Sequence, residues 1–505
     1  MPTALEQLTL KLHDVTDLRH AGDLIEWDER VCMPEGGASV HGEMLATIRR
    51  LGHQTFTSGD VARLLDAAAR ELDGVPRDDD GRRLVEVTRR DYDKAVKVPD
   101  AWVAEHARVT SAAQHVWAEA RAKNDFALFR PHLERIVELK REYVGFFDAA
   151  AYPYDLLLDD YEPGTTTADV RALFSALRPR QIALANAIAV RPHIDDSVLR
   201  GAYAEADLLT FSREVASAFG FDWKRGRQDM SVHPFATAIG SHDVRITTRF
   251  MERYPLSLVF GMLHETGHAL YEQGVSARHV RTTLEGGTSL GIHESQSRLW
   301  ENIVGRSRPF WEYFYPALQA RCAPRLGSVG LDEFYRAINR VEPSFIRTEA
   351  DEVTYNLHVM IRVELEITLL EGTMDVAALP QQWNQKMEEY LGVRPQSDAE
   401  GILQDIHWAA GLFGYFATYA LGNVVAAQLW DRFGAVNPGR DADVRRGDFA
   451  PLLSWLRREV HEHGRKYEPQ ELVQRATGAR VDPTPYLTYL ETKYADIYDL
   501  PADAC

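Results

Sequence analysis

The sequence is poor in cysteine and lacks an N-terminal segment of the kind that directs secretion. Its 505 residues include 3 cysteines, Cys32, Cys322 and Cys505. Because they are few, scattered and odd in number, they predict neither a disulfide framework nor a Cys-x-x-Cys metal site, and they favour a reducing compartment. Residues 1–10 contain no basic region followed by a long apolar run. No signal peptide is therefore expected, and the predicted location is cytoplasmic.

Basic residues are outnumbered, with 57 Lys and Arg against 75 Asp and Glu and a formal net charge of −18. Proteins that bind nucleic acid independently of sequence need basic surface to displace counterions from phosphates. The charge balance therefore argues against a nucleic-acid partner. The hydrophobic fraction of 45% and the charged fraction of 26% are those of an ordinary globular protein with a large core.

Long uncharged stretches are rare, and residues 409–430 are the one that raises the question of a membrane span. This stretch includes Asn423 and Gln428, has no basic flank and follows the polar residues 404–408. It predicts a buried helix that lines a pocket, and no membrane partner is expected.

Most of the chain has helical periodicity. Apolar side chains recur three and four residues apart at Leu5, Leu8 and Leu12, and this texture continues to about residue 147. Residues 165–174 begin another helix after a hydroxyl N-cap. The chain is therefore predicted to be mainly α.

Strand periodicity occurs at residues 243–250, where Val244 and Ile246 alternate with Asp243 and Arg245. We expect a small β-sheet that borders a cleft. An edge strand there would bind an extended peptide through main-chain hydrogen bonds. A purely structural hairpin fits the pattern equally well.

A His-Glu-x-x-His array lies within an apolar helical run at residues 259–271. His264 and His268 are four residues apart, so on a helix they share one face and can bind one metal ion. Glu265 suits the general base that takes a proton from water polarised by the metal. The alternative is that both histidines are ordinary core or surface residues.

A zinc site of this kind needs a third protein ligand and leaves a fourth position open. Glu294, near the start of the next predicted helix, is the expected third ligand. His293 is its rival, because neighbouring helical residues point about 100° apart and only one can face the metal. Position 298 is arginine, where thermolysin-like proteins often have an aspartate that orients a ligand histidine, so that orienting group must come from elsewhere.

With these residues in place, the chain resembles the thermostable metallocarboxypeptidase family typified by carboxypeptidase Taq. The similarity runs almost end to end. It rests on Trp27-Asp28 with Met33-Pro34 and Gly36-Gly37, on residues 154–164, and on His233-Pro-Phe235, Asp243-x-Arg245-x-Thr247, His293-Glu-Ser295, Ile346-Arg-x-x-Ala-Asp-Glu352 and Gly401-x-x-Gln-Asp-x-His-Trp408. The resemblance implies a mainly helical fold like neurolysin and angiotensin-converting enzyme, with a deep active-site groove. It also implies a homodimer that removes C-terminal amino acids.

The resemblance further implies that Arg347 binds the C-terminal carboxylate of the substrate, because a guanidinium matches two carboxylate oxygens. The alternative is a salt bridge from Arg347 to Asp351 or Glu352. Arg245 is the next candidate for carboxylate binding.

Tyrosine and histidine donors stabilise the oxyanion in related enzymes. Tyr419 is the first candidate here, with Tyr415 and His407 at compatible spacing, and buried aromatic packing is the alternative. His233 resembles the substrate-positioning residue of the family. Its simpler interpretation is a histidine in a turn before proline.

Together these features predict one catalytic domain over residues 1–505, with an N-terminal helical lobe at about residues 1–150. The predicted activity is that of a Zn²⁺-dependent carboxypeptidase of broad specificity acting on peptides, with Co²⁺ or Mn²⁺ as alternative metals. A related zinc endopeptidase or dipeptidyl carboxypeptidase is the nearest alternative. A noncatalytic helical binding protein is a more distant one, against which the intact ligand set argues.

Overall fold

The computed structural model describes residues 2–148 and 150–501. Helices make up 66% of the structure, which confirms the prediction of a mainly α fold. In chain order the α-helices are α1 (Ala4–Val31), α2 (Ala38–Phe56), α3 (Gly59–Glu71), α4 (Asp80–Lys97), α5 (Asp100–Lys123), α6 (Phe126–Val144), α7 (Pro153–Leu158), α8 (Thr167–Ala189), α9 (Glu205–Phe219), α10 (Ser257–Gly274), α11 (Leu290–Arg298), α12 (Arg308–Arg321), α13 (Ala323–Leu326), α14 (Leu331–Ile338), α15 (Tyr355–Leu370), α16 (Leu379–Leu391), α17 (Ala417–Val436), α18 (Arg440–Arg445), α19 (Ala450–Glu459), α20 (Pro469–Thr477) and α21 (Thr484–Tyr498).

The chain divides into two compact units, each made of three segments. The first unit contains the residues up to Val96 together with Asp196–Ile338 and Leu429–Gly478. The second contains Lys97–Asp195, Asn339–Gln428 and the residues from Ala479 onward. The expectation of one catalytic domain over residues 1–505, with an N-terminal helical lobe at about residues 1–150, stays a prediction.

In the first unit, α1 packs against α2 and α3. Leu8 and Leu12 of α1 meet Leu65 of α3 and Val85 of α4 in one apolar cluster. Helix α10 packs against α9, α11 and the sheet. It therefore lies inside the unit, where contacts with these neighbouring elements fix its position.

In the second unit, α15 is the central helix, and it packs against α6, α7, α8 and α16. The hydroxyl N-cap predicted for α8 is confirmed as Thr166. The Thr166 side chain accepts from the N–H of Asp169, and the Asp169 carboxylate accepts from the Thr166 N–H. This reciprocal pair explains why the helix begins at Thr167.

The sheet is small and lies in the first unit. Its strands are β1 (Gly226–Met230), β2 (Ala236–Ala238) and β3 (Val244–Thr248), in the order β1-β3-β2. Strand β3 pairs with β1 in parallel, Gly226 opposite Val244, and with β2 in antiparallel, Ala236 opposite Ile246. The strand predicted from residues 243–250 is thus confirmed, but it is the central strand. The open edges belong to β1 and β2.

The uncharged stretch at residues 409–430 is only partly the helix that its composition predicts. Helix α17 begins at Ala417, and the residues before it form turns in which Gly411 and Gly414 have φ values of 73° and 87°. Glycine tolerates this left-handed backbone, which other residues disfavour. Within the described residues, no helix is long and apolar enough to cross a membrane. Cys32 is exposed and Cys322 is buried, both as free thiols, and Cys505 lies outside the described residues.

Candidate functional site

Helix α10 carries both histidines of the His-Glu-x-x-His array. Leu258, Leu263 and Leu270 of this helix are fully buried, so the helix is anchored by apolar contacts. His264 and His268 lie on one face, because residues four apart are separated by about one turn. Their ring centroids are 4.8 Å apart. The two imidazoles are therefore close enough to bind one metal ion together.

Helix α11 brings Glu294 to the same place. Its Oε2 atom lies 3.7 Å from Nε2 of His264 and 3.7 Å from Nε2 of His268. The two helices approach closely because residue 267 is glycine. A Cβ atom at Gly267 would lie only 2.6 Å from the carbonyl oxygen of Gln296 in α11. The position of the third candidate ligand thus depends on a small residue in α10.

A chain of hydrogen bonds orients both imidazoles. Nδ1 of His264 lies 2.9 Å from Oε2 of Glu301, and Nδ1 of His268 lies 2.7 Å from Nδ1 of His293, whose Nε2 is 2.7 Å from Oε1 of Glu272. A carboxylate only accepts, so His264 donates from Nδ1 and His293 from Nε2. His293 therefore accepts from His268 through its own Nδ1. This network assigns the tautomers that leave both Nε2 lone pairs facing Glu294.

Sequence reasoning missed Glu301, although a signal was present. Glu294, Arg298 and Glu301 are spaced by four and three residues, which is the spacing of one helical face. Arg298 donates from Nε to Oε1 of Glu294 at 2.7 Å, and its Nη1 lies 3.5 Å from Oε2 of Glu301. Burial alone would raise the pKa of Glu301, but the hydrogen bond from His264 and the charge of Arg298 lower it to about 2. The orienting acid that position 298 lacks is thus supplied by position 301.

These residues fit a divalent metal ion. Two imidazole nitrogens and one carboxylate oxygen, from His264, His268 and Glu294, lie within 4.8 Å of one another. Ligands that share a zinc ion at about 2.0–2.2 Å are roughly 3.3–4 Å apart, which matches the 3.7 Å separations. Orientation of ligand histidines by carboxylates is also usual in metal sites. Against the lowering effect of burial, Glu294 and Glu301 raise the pKa of His264 to about 9, so the surroundings favour a positive charge.

Glu265 lies between the two histidines in sequence and is 6% exposed. Its carboxylate makes no hydrogen bond within the part of the chain that the structure describes. Burial raises the pKa of Glu265 to about 7, and the charges of Glu294 and Glu301 add to the rise, while His264 opposes it. A carboxylate with a pKa near neutrality is well suited to accept and return a proton.

Arg347 lies in the second unit and is 4% exposed. It donates from Nη2 and Nε to the two carboxylate oxygens of Asp405, at 2.8 and 3.4 Å, and from Nη1 to the hydroxyl of Tyr355 at 2.8 Å. The Tyr419 ring lies against it, with its centroid 4.9 Å from the guanidinium carbon. Arg362, also buried, donates to Asp405 at 2.6 Å. Asp405 therefore bridges two arginines and fixes one edge of Arg347.

The alternative that Arg347 pairs with Asp351 or Glu352 is wrong. Oδ1 of Asp351 accepts from the backbone N–H groups of Val353 and Thr354, and Glu352 forms an ion pair with Lys493 at 2.5 Å. Residues 347–349 form a short 3-10 turn that ends at once. Without a continuing helix, residues four and five positions apart do not face each other.

The three oxyanion candidates lie together in the second unit. Nε2 of His407 is 3.3 Å from the hydroxyl of Tyr419, and the ring centroids of Tyr415 and Tyr419 are 5.5 Å apart. Burial lowers the pKa of His407 to about 4, so its imidazole is neutral near pH 7. Tyr419 also contacts Arg347, which joins these candidates to the predicted carboxylate site.

His233 and Arg245 lie in the first unit, beside the sheet. His233 is exposed in the segment before β2. Arg245 donates from Nε and Nη2 to both oxygens of Asp243, at 2.9 and 2.6 Å, and stacks over the Trp27 ring at 4.4 Å. Within the described ranges, neither side chain forms a hydrogen bond or ion pair with His264, His268 or Glu294. The substrate roles of both residues stay predictions, as do those of the other candidates.

Comparison with known proteins shows similarity over almost the whole chain. The profile of the family described as carboxypeptidase Taq (M32) metallopeptidase matches residues 7–494. Thermostable carboxypeptidase 1 of Thermus thermophilus is 41% identical over 497 residues, covering 95% of this chain and 96% of the relative. Carboxypeptidase 1 of Bacillus subtilis is 38% identical over 488 residues, covering 96% and 97%. The crystal structure of the M32 carboxypeptidase from Deinococcus radiodurans superposes with a TM-score of 0.96 at 40% identity and covers 99% of this chain and 100% of that chain.

Proposed function

Because the chain belongs to the carboxypeptidase Taq (M32) metallopeptidase family and is a metallocarboxypeptidase, we propose that it removes single C-terminal amino acids from varied peptides with Glu265 as general base. One observation carries this proposal. Two imidazole nitrogens and one carboxylate oxygen converge next to Glu265, a buried carboxylate that accepts no hydrogen bond from any described residue. This is the arrangement that hydrolysis of a peptide bond by activated water requires.

We assign the metal ligands to His264, His268 and Glu294. Two nitrogens and one oxygen with an open fourth position are typical of zinc hydrolases, and Co²⁺ or Mn²⁺ are alternatives because ligand geometry tolerates more than one metal. When bound, the ion supplies a Lewis acid that makes water more acidic and polarises the scissile carbonyl. Glu301 and His293 hold the two imidazoles in the orientation that this binding needs.

Glu265 is proposed to take a proton from the attacking water and to pass it to the leaving amine. Burial raises the pKa of Glu265 above that of an ordinary glutamate, which makes its carboxylate a better acceptor for the proton of the water. Its lack of a donor among the described residues leaves both oxygens available to water.

Arg347 is proposed to bind the terminal carboxylate. A guanidinium has five N–H groups, of which three are used by Asp405 and Tyr355. Nη1 and Nη2 each keep one further N–H that has no acceptor among the described residues, and a carboxylate can accept from both nitrogens. Because Asp405 fixes the guanidinium plane, the arginine is already oriented before the substrate arrives.

The oxyanion that forms during attack needs hydrogen-bond donors. We propose Tyr419 as the first of these, with Tyr415 and His407 as alternatives. The contact of Tyr419 with both His407 and Arg347 supports this choice.

Further parts of the proposal rest on the family resemblance and the sequence. His233 is proposed to position the substrate, with Arg245 as the second candidate for the terminal carboxylate. The protein is proposed to act as a homodimer in the cytoplasm, each chain working as one catalytic domain.

The test compares two peptides that differ only in a free or an amidated C-terminus. The amide removes the partner of Arg347, and charge-assisted hydrogen bonds of this kind are worth about 1.5–3 kcal/mol, or roughly 10- to 150-fold in kcat/KM. We expect the wild type to prefer the free C-terminus by that factor. Mass spectrometry of the products identifies whether one residue, two residues or an internal fragment is released.

Arg347→Ala should be slow on both peptides and lose most of the preference, because the mutation and the amide remove the same interaction. Arg171→Ala is the control, since Arg171 pairs with Glu371 at the surface of the same unit and should keep the preference. A full preference in Arg347→Ala would move the role to another cation, with Arg245 the first to examine. Equal cleavage of both peptides by the wild type would favour the endopeptidase alternative.

A further inference from the structure

A cavity of about 420 Å³ lies in the first unit. Its walls come from α1, from β2, from the glycine pair 286–287 and from the residue His293. His293 also accepts the hydrogen bond from His268. The cavity is therefore separated from a proposed metal ligand by a single side chain.

The carboxylates that line this cavity already have partners. Asp23 pairs with Arg49 at 2.8 Å. Glu272 accepts from His293 at 2.7 Å and from the N–H of Gly287 at 3.3 Å. Glu285 accepts from the backbone N–H groups of residues 241 and 281, at 3.1 and 2.7 Å. None of these acids therefore requires a cationic ligand.

The two arginines of the wall differ. Arg465 forms an ion pair with Asp91 at 2.8 Å and donates to the carbonyl of Thr283 at 3.2 Å. Arg19 is solvent-accessible and forms no hydrogen bond or ion pair with any of residues 2–148 and 150–501. Burial of part of the side chain and the charge of Arg465 lower the pKa of Arg19, while the charges of Asp23, Glu285 and Glu272 oppose this effect. Among the charged side chains that the structure describes on this wall, Arg19 is thus the one without a hydrogen bond or ion pair.

The main chain of β2 adds a second feature. The N–H of Ile239 donates to Asp243, and that of Thr247 donates to Phe235. Bonding alternates along an antiparallel pair, so the main-chain groups of Ala236 and Ala238 point away from β3. Both residues line the cavity. An extended peptide can therefore pair with this edge and direct a side chain toward α1.

We propose that the cavity is a substrate subsite on the acyl side of the scissile bond, in which Arg19 binds an Asp or Glu side chain of the peptide. The acyl side follows from the reaction, because a carboxypeptidase has one residue on the leaving side. A carboxylate ligand follows from the charges, because Arg19 is the charged side chain of the wall that has no hydrogen bond or ion pair among the described residues, and a guanidinium binds a carboxylate. The proposal rests on the function proposed above and adds to it a preference for an acidic residue in the substrate sequence.

The test uses a series of peptides that share the same C-terminal residue and contain one upstream Glu. The Glu is moved through successive positions, and each peptide is matched with one that has Gln at the same position. The wild type should prefer Glu at one upstream position by about 2- to 5-fold in kcat/KM, as expected for a charge-assisted but solvent-accessible pair. The preference should fall as NaCl is added, because salt screens exposed charges.

Arg19→Gln should reduce the ratio to about one, and Arg19→Lys should keep a preference for Glu. Arg19→Glu should reverse the choice and favour a peptide with Lys at that position. Arg50→Gln is the control, since Arg50 is an exposed arginine of α2 and its loss changes net charge equally. Thermal melting checks that each variant is folded, and a ratio of rates is independent of the amount of active enzyme.

Two results would overturn the subsite. One is a Glu to Gln ratio near one at every position in the wild type, and the other is an unchanged ratio in Arg19→Gln. Failure of the wild type to release C-terminal residues from any peptide is a different outcome, because it would reject the proposed function itself.

Discussion

Glu265 is buried in a site that contains two more acids, Glu294 and Glu301. Glu265→Gln keeps the size of the side chain and removes its ability to take a proton. We expect turnover to fall by about 10²- to 10⁴-fold or more, while metal content stays near that of the wild type. Steady-state kinetics and metal analysis of the same preparation measure both. Loss of metal from this variant would make Glu265 a ligand, and undiminished turnover would reject its role as base.

Glu294 and His293 are neighbours with different surroundings. Oε2 of Glu294 faces both Nε2 atoms at 3.7 Å, whereas both nitrogens of His293 are used by His268 and Glu272. Glu294→Ala should therefore lower metal occupancy and activity more than His293→Ala does. His293→Ala should weaken metal binding by about 10- to 100-fold, as loss of an orienting partner does. If His293→Ala emptied the site and Glu294→Ala did not, the ligand assignment would be wrong.

Glu301 is expected to hold His264 in the tautomer that a metal needs. Glu301→Gln removes the charge that accepts from Nδ1, and we expect metal affinity to drop by about 10- to 100-fold. Competition with a chelator measures the dissociation constant. Glu312→Gln serves as the control, because Glu312 pairs with Arg445 near the surface. Equal metal affinities of the two variants would mean that Glu301 does not support metal binding.

At the level of elements, the site depends on how closely α10 meets α11. A Cβ at position 267 would lie 2.6 Å from both the carbonyl oxygen of Gln296 and Cα of Ser297. Backbone atoms cannot move aside alone, so Gly267→Ala should push the helices apart. We expect a loss of about 1–3 kcal/mol in the free energy of unfolding, measured by urea titration. Metal affinity should fall with it, because the ligands come from both helices.

Gly261 provides the matched control on the same helix. A Cβ there would meet only Oγ1 of Thr248, at 3.9 Å, which is ordinary contact. Gly261→Ala should be neutral or stabilise the helix by about 0.5–1 kcal/mol, since alanine is the better helix former. Equal destabilisation by both substitutions would mean that α10 is sensitive to any added methyl group, and the close approach would lose its significance.

For the whole molecule, removal of the metal should lower stability. A ligand that binds only the folded state stabilises it by about 4 kcal/mol when its free concentration is a thousand times Kd. The metal-free enzyme should therefore melt at a lower temperature, and added Zn²⁺ should restore the wild-type value. Differential scanning calorimetry measures both. His264→Ala should melt at a temperature that does not respond to Zn²⁺, and a full response of that variant would place the stabilising metal elsewhere.

Much of the fold was predictable from local patterns. Residues three and four apart face the same way on a helix, so apolar spacing in the sequence predicts helices such as α10 and α11 without tertiary information. The same rule places His264 and His268 together. The rule fails where the chain turns, as at residues 409–416. Gly411 and Gly414 have a left-handed backbone there, and the hydropathy of the sequence does not indicate it.

The sequence by itself determined the pairing of His264 with His268 and the place of Glu265 beside them, because their spacing within one helix carries their geometry. It offered Glu294 as a candidate, but only the tertiary structure decided that this carboxylate meets both imidazoles. Only the tertiary structure decided that Asp405 fixes Arg347, that β3 is the central strand, and that Arg19 of α1 faces a cavity beside His293. The reason is physical. Contacts within a helix follow from a fixed period, whereas contacts between segments far apart in the chain depend on how whole elements pack, and no local pattern records that packing.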